Sequence, residues 1–343
     1  MNTETDFAKH LSKFLSEYLP YERNMSPHTV ASYRDTFVQF ITYMKDVQNV
    51  KVDQLTLDML TRNRVLEFLS WVQQERNCGI ATRNQRLASI NSFVSYLQYE
   101  EIQYLAEWQK IRSIKAMKDE KKSINYLTTE GIKLLLEQPD IETRNGYRNL
   151  ALLALMYDTG ARVQEMIDLT PESLNIESKP FTIRLYGKGR KTRVVPLMEE
   201  QIVILKQYMK ENHLFDNHKQ KHPLFFNSRR EKLSRAGITY IFKTYADMAR
   251  QVNRELMPSI ISCHSLRHSR AMHLLQSGVN LVYLRDLLGH TSIQTTDIYA
   301  RADSKQKREA LEKTYVDLVP EKSMNRQWER NQGLLDWLKS LQK

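Results

Sequence analysis

Residues 263–278 read CHSLRHSRAMHLLQSG and residues 287–301 read LLGHTSIQTTDIYAR. His264 and Arg267 stand three positions apart, so one helical turn puts them on a common face. Gly289 is a natural helix stop, and it delivers His290 directly after an apolar helix. Tyr299 follows within the next helical pattern. Upstream, Thr159-Gly160-Ala161-Arg162-Val163-Gln164-Glu165 follows an apolar helix expected over 145–157. Gly160 lets the chain turn so that Arg162 faces inward. Between these stretches, FTIRLY (181–186) and TRVVPL (192–197) flank GKGRK, the pattern of a β-hairpin with a basic, Gly-rich tip. GKGRK lacks the spacing of a phosphate-binding P-loop. Further helices are expected at about 199–211, 234–253, 265–277, 280–288 and 303–314.

The N-terminal part reads differently. Ser26-Pro27 is a helix start, with Ser at the N-cap and Pro at the first helical position. Val30, Tyr33, Phe37, Phe40, Ile41 and Met44 then recur at spacings of mostly three and four. Val65, Phe68, Leu69 and Val72 repeat the pattern, as do Ile90, Phe93, Val94 and Leu97, and a weaker helix is expected over 6–18. The fold class expected is therefore mainly α with a small β-hairpin or sheet. A helical domain occupies 1–108, a basic linker 109–125, an α+β domain 126–320 and a tail 321–343, whose Leu334, Leu335, Trp337, Leu338 and Leu341 form an apolar helical face.

With 343 residues, 41% of them hydrophobic, the chain has the apolar content for two real cores. The longest apolar run, Leu150 to Tyr157, is far short of the roughly 20 residues a spanning helix needs. No secretory signal is visible at the N-terminus. Cys78 and Cys263 are lone and distant, which excludes a disulfide framework and fits a reducing cytoplasm. The net charge of +11 points toward a polyanion. Residues 1–104 carry 11 basic and 12 acidic side chains, residues 105–125 carry 6 and 3, and residues 126–343 carry 34 and 25. The basic excess thus begins at Lys110, Arg112, Lys115, Lys118, Lys121 and Lys122, candidates for a strap along a phosphate backbone. Lys191 and Arg193 at the hairpin are further DNA-contact candidates.

Taken singly, each His, Arg or Tyr has an ordinary structural explanation, but the ordered set suits one chemistry. Two guanidinium forks can hold the non-bridging oxygens of a phosphodiester and oppose charge growing in its transition state. Histidines can donate to those oxygens or move protons. Concentrated positive charge would favour a tyrosine phenolate, the nucleophilic form. No Asp/Glu cluster of the two-metal kind accompanies them.

The order Arg, Lys, His-x-x-Arg, His, Tyr resembles the tyrosine recombinase (phage integrase) family. TGARVQE resembles its first arginine box, YGKGRKTRVVPL its β-hairpin, and HSLRHSRAMHLLQSG with LLGHTSIQTTDIYAR its second box. SPHTVASYRDTFVQFITYM resembles its SAM-like core-binding domain. The resemblance covers about four fifths of the chain, while Ala161, Gln164 and Arg270 depart from the family's usual types without replacing a catalytic group. It implies that Arg162 and Arg267 bind the scissile phosphate and that Lys188 protonates the leaving 5′ oxygen. It further implies that His264 assists proton transfer, His290 hydrogen-bonds the phosphate and Tyr299 is the nucleophile. Glu165 would support from behind. No cofactor is implied: the phosphotyrosyl link conserves bond energy, so neither ATP nor metal is required. The implied partners are double-stranded DNA with inverted-repeat core sites and three further copies of the chain, making a tetramer on two sites that exchanges strands through a Holliday junction. The tail would dock on a neighbouring protomer. The absence of an arm-binding N-terminal domain favours a compact Xer-like or transposon-type enzyme of a mobile element in a bacterial cytoplasm. A type IB topoisomerase shares the chemistry, and a non-catalytic architectural DNA binder shares the charge.

Overall fold

The computed structural model describes residues 4–119, 124–187, 191–290, 292–302 and 339. The chain divides into two compact units, Met1–Lys122 and Ser123–Lys343. No helix among the described residues is long and apolar enough to cross a membrane.

The first unit is a bundle of α1 (Asp6–Lys13), α2 (Pro27–Asp46), α3 (Arg62–Gln74), α4 (Ile80–Glu100) and α5 (Leu105–Arg112). Helix α1 runs on through a wider-turn helical stretch, Phe14–Glu22. The caps follow sequence: Thr5, Ser26 and Thr61 each accept a backbone N–H of the helix they open. Phe37, Phe40 and Met44 on α2, Val65, Phe68, Leu69 and Val72 on α3, and Ile90, Phe93, Val94 and Leu97 on α4 are all buried, as their spacing requires. Aromatic rings interlock at the centre: Phe93 meets Phe14 at 5.1 Å and Phe37 at 5.0 Å between centroids, both edge-on.

The linker expected from residue 109 does not begin there. Lys110 and Arg112 lie on α5, whose other face buries Trp108 and Ile111, and Ile114 continues that buried face. Lys110 pairs with Glu107 at 3.1 Å and Arg112 donates to Gln98 at 2.9 Å. The chain beyond is tied to α4, since Asn84 donates to the Met117 carbonyl at 2.8 Å and accepts the Met117 N–H at 3.0 Å. Lys115 and Lys118 are exposed on this segment. Lys121 and Lys122 lie outside the described residues.

The second unit comprises α6 (Thr129–Leu136), α7 (Arg144–Thr159), α8 (Val163–Ile167), β1 (Leu174–Asn175), β2 (Thr182–Tyr186), β3 (Thr192–Pro196), α9 (Glu199–Glu211), α10 (Arg235–Val252), α11 (Cys263–Gln276), α12 (Leu281–Leu288) and α13 (Ile293–Ala302). The strands form one antiparallel sheet in the order β1-β2-β3, with Ile183 opposite Val195 and Leu185 opposite Arg193. Ile183, Leu185 and Val195 point into the core and their neighbours point out, the period of two a half-buried strand shows. Helix α7 is buried along Ala151 to Met156, which explains its unbroken apolar run. The helix expected at 303–314 and the apolar helical face of the tail lie outside the described residues.

Candidate active site

Helix α7 ends at Gly160, whose φ of +57° is the left-handed cap that glycine adopts without strain. A Cβ there would meet Leu288 at 2.9 Å. The turn places Arg162 at the N-cap of α8, where the Glu165 carboxylate accepts both the Arg162 backbone N–H at 2.7 Å and its guanidinium at 2.8 Å. Glu165 is buried, and a second arginine reaches it. Arg193 donates through both terminal nitrogens, at 2.8 and 2.7 Å, in a bidentate fork. Burial alone would raise the Glu165 carboxyl, but the hydrogen bonds and charges of Arg193 and Arg162 outweigh it and hold the group below its usual range. Arg193, expected as a DNA contact, thus has its guanidinium engaged by Glu165 within the fold. Its side chain is 10% exposed, and its Nε also donates to the Leu287 carbonyl at 2.8 Å.

Arg267, on α11, is 1% exposed. It donates to the carbonyl oxygens of Gly160 at 2.6 Å and Leu288 at 2.5 Å. Burial, then the neighbouring Arg162 and Arg193, lower its pKa to about 10, so it stays charged at neutral pH. Arg162 donates in turn to the Gly289 carbonyl at 3.2 Å. Three successive carbonyls at the end of α12 thus each receive one arginine. The C-terminal carbonyls of a helix carry partial negative charge, which suits them to this task. They orient the cations without cancelling them, leaving the cluster positive overall for an anion.

His290 follows Gly289, and its Nδ1 shares a hydrogen bond of 2.9 Å with Thr296, itself fully buried. Desolvation and the three arginines depress its pKa to about 4. Tyr299 on α13 lies against this group, its ring nearly parallel to that of His290 at 6.4 Å. The tyrosine is 1% exposed. Arg267 and Arg162 pull its pKa down, as the sequence led us to expect, yet burial pushes further and the net shift is upward. In the DNA-free chain the hydroxyl is kept protonated.

His264 sits exposed at the start of α11, its ring edge-on to that of His268 at 4.6 Å. Desolvation, with Arg267 and Arg162, lowers its pKa. Arg162, Arg267, His290, Tyr299 and Glu165 therefore converge on one place within the second unit. Lys188 lies outside the described residues, but the base of its hairpin is fixed. Gly187 donates to the Lys191 carbonyl at 2.8 Å, and a Cβ on Gly187 would come within 3.3 Å of Glu165. Lys191 is exposed. The departing residue Arg270 pairs with Asp158 at 3.0 Å and lies over the Tyr157 ring.

Two residues have partners that their sequence context did not announce. One is Arg193, whose partner Glu165 lies 28 positions away. The other is His268, whose Nδ1 is 3.0 Å from the Tyr299 hydroxyl. Among the described residues no group of three or more His, Cys, Asp or Glu is placed to hold a metal ion.

The pattern described as the phage integrase family matches residues 125–306, and that of the phage integrase N-terminal SAM-like domain matches residues 12–101. A Sinorhizobium fredii protein named as an integrase/recombinase, y4rC, is 30% identical over 99% of this chain and 100% of its own length. Tyrosine recombinase XerD of Staphylococcus epidermidis is 31% identical over 90% of this chain and 99% of its own. The XerH site-specific recombinase in its post-cleavage complex with palindromic difH substrate has a similar fold, with a TM-score of 0.66 and 22% identity over 90% of each chain. The chain belongs to the phage integrase family and is a tyrosine recombinase, an enzyme of DNA recombination.

Proposed function

We propose that the chain is a site-specific recombinase that cuts and rejoins DNA through a 3′-phosphotyrosyl link on Tyr299. The convergence of Arg162, Arg267 and His290 around a tyrosine drawn from another helix carries this reading. Arg162 and Arg267 hold the scissile phosphate, and His290 donates to one of its oxygens. Lys188 protonates the leaving 5′ oxygen, His264 assists from the rim, and Glu165 fixes Arg162. Lys115, Lys118, Lys121, Lys122 and Lys191 meet the phosphate backbone, and Lys110 and Arg112 do so beside their contacts within the first unit.

We infer four protomers on two inverted-repeat sites, exchanging strands through a Holliday junction, with the tail 321–343 docked in trans. The full-length likeness to an integrase/recombinase supports a mobile-element role. A nicked suicide substrate made from DNA flanking the gene, incubated without metal, tests the chemistry. The unchanged protein is expected to give a covalent adduct that Tyr299→Phe abolishes. An adduct surviving in Tyr299→Phe overturns the assignment. Relaxation of site-free plasmid by the isolated protein would instead mark a topoisomerase.

A further inference from the structure

We propose that His268 is a further catalytic residue, whose Nδ1 takes the hydroxyl proton of Tyr299 as the tyrosine oxygen attacks phosphorus. This deepens, and rests on, the reading of Tyr299 as nucleophile. Nδ1 and the hydroxyl oxygen are 3.0 Å apart, within the reach a general base needs. Tyr299 is 1% exposed, so bulk water does not compete for the proton. The other histidines are placed for different work. His290 commits its Nδ1 to Thr296, and His264 packs its ring edge-on against that of His268. For the hydroxyl to donate, Nδ1 of His268 must be bare and the ring proton must sit on Nε2.

The step balances. The tyrosine O–H bond breaks and its proton moves to Nδ1. The freed electron pair forms the tyrosine O–P bond, while the bond from phosphorus to the 5′ oxygen breaks and that oxygen takes a proton from Lys188. On religation a 5′ hydroxyl attacks, and the departing tyrosine oxygen recovers its proton from His268.

The surroundings couple this transfer to substrate. His264 and Arg267 share helix α11 with His268, Tyr299 faces it from α13, and Arg162 through its charge and His290 through its ring also act on the tyrosine. Desolvation, then His264 and Arg267, hold His268 at about 4. The ring is neutral at neutral pH but too weak a base to ionise the tyrosine in the absence of DNA. A phosphate bound by Arg267 offsets the part of that depression that comes from neighbouring positive charge, and so strengthens the base when substrate is present.

The test compares His268→Gln with the unchanged chain on the nicked substrate, at matched DNA occupancy, across pH. Glutamine keeps a hydrogen-bonding group but cannot carry the proton. Cleavage is expected to fall by about 100-fold at neutral pH. It should then rise roughly tenfold per pH unit toward about pH 9 as the phenol ionises unaided, where the unchanged chain stays nearly flat. Replacing Tyr299 by 3-fluorotyrosine, a more acidic phenol, should restore much of the loss in His268→Gln, which a packing defect would not allow. His268→Asn serves if the glutamine variant does not fold. Cleavage within threefold of the unchanged chain with the same profile overturns the proposal, as does a loss that neither pH nor fluorotyrosine relieves. If Tyr299→Phe abolishes the adduct while His268→Gln cleaves normally, the proton-acceptor assignment falls and the recombinase reading stands.

Discussion

The largest side chains buried in the first unit are rings: Trp108, Tyr43, Phe14, Phe37 and Phe93. In the second unit the corresponding group includes Arg267 and Tyr299. Both interiors exclude water and both bury ionisable groups, Arg83 and His10 in the first, but the second gathers Glu165, Arg193 and Arg267 into one cluster. A buried arginine costs desolvation free energy that a Phe at the same depth would not. The second unit offsets part of this with carbonyls at helix ends and with Glu165, and what remains unbalanced is the positive field that draws a phosphate. The first unit holds its shape by packing; the second holds a charge arrangement whose geometry sets its chemistry.

The sharpest way to break this contrast is Arg267→Ala. It removes the buried cation and leaves the Gly160 and Leu288 carbonyls unfilled, and cleavage should fall by more than about 10³-fold. Retained cleavage would mean the fork does not touch the phosphate. Glu165→Ala comes next. It strips Arg193 and Arg162 of their shared carboxylate and should destabilise the second unit by about 3–5 kcal/mol, read by denaturant melts of the full chain. Leu69→Ala, in the first unit, should cost about 2–5 kcal/mol and leave the pH dependence of adduct formation unchanged. A change in that pH dependence would show that the two interiors are not independent.

The smallest effect is graded rather than abrupt. His268 and His290 are both held near 4, against an ordinary histidine value of about 6.5. Between those limits the unfolded chain binds more protons than the folded one, so stability should decline as pH falls from about 6.5 toward 4. Glu165, whose carboxyl is held below its usual range, sharpens the decline at the acid end, because its contribution disappears as pH falls through its folded value. Melting temperature against pH measures this. A flat profile across that window would show that the histidine rings are less shielded than their setting indicates.

The helical faces of α2, α3 and α4 were legible because each is amphipathic over several turns, and periodicity needs no partner to be seen. Helix α5 was missed because Lys110 and Arg112 read as linker charge, although Trp108, Ile111 and Ile114 at spacings of three mark a buried face. Strand β1 is two residues long, too short to show a period. Arg162, Lys188, His264, Arg267, His290 and Tyr299 were named from an ordered motif, yet no motif reveals which arginine is spent on Glu165. Arg193 looked like any basic hairpin residue until Leu287 and Glu165 closed on it. His268 sits beside Arg267 in sequence, but its meaning lies 31 residues downstream. Both are long-range facts, and local pattern does not encode them.

The carbonyls of Leu287, Leu288 and Gly289 each accept a different arginine, Arg193, Arg267 and Arg162. Consecutive backbone units advance by a fixed step of about 3.8 Å, so this tripeptide works as a ruler against which three cations from separate parts of the chain are set. Substitutions at Leu287 and Leu288 leave that backbone step unchanged, but a side chain at Gly289, whose φ is +63°, would press on the Arg193 guanidinium at 3.0 Å. Inserting or deleting a single residue would shift every mark at once, misaligning all three arginines together. Length is a property this stretch cannot give up, and so is the glycine that ends it.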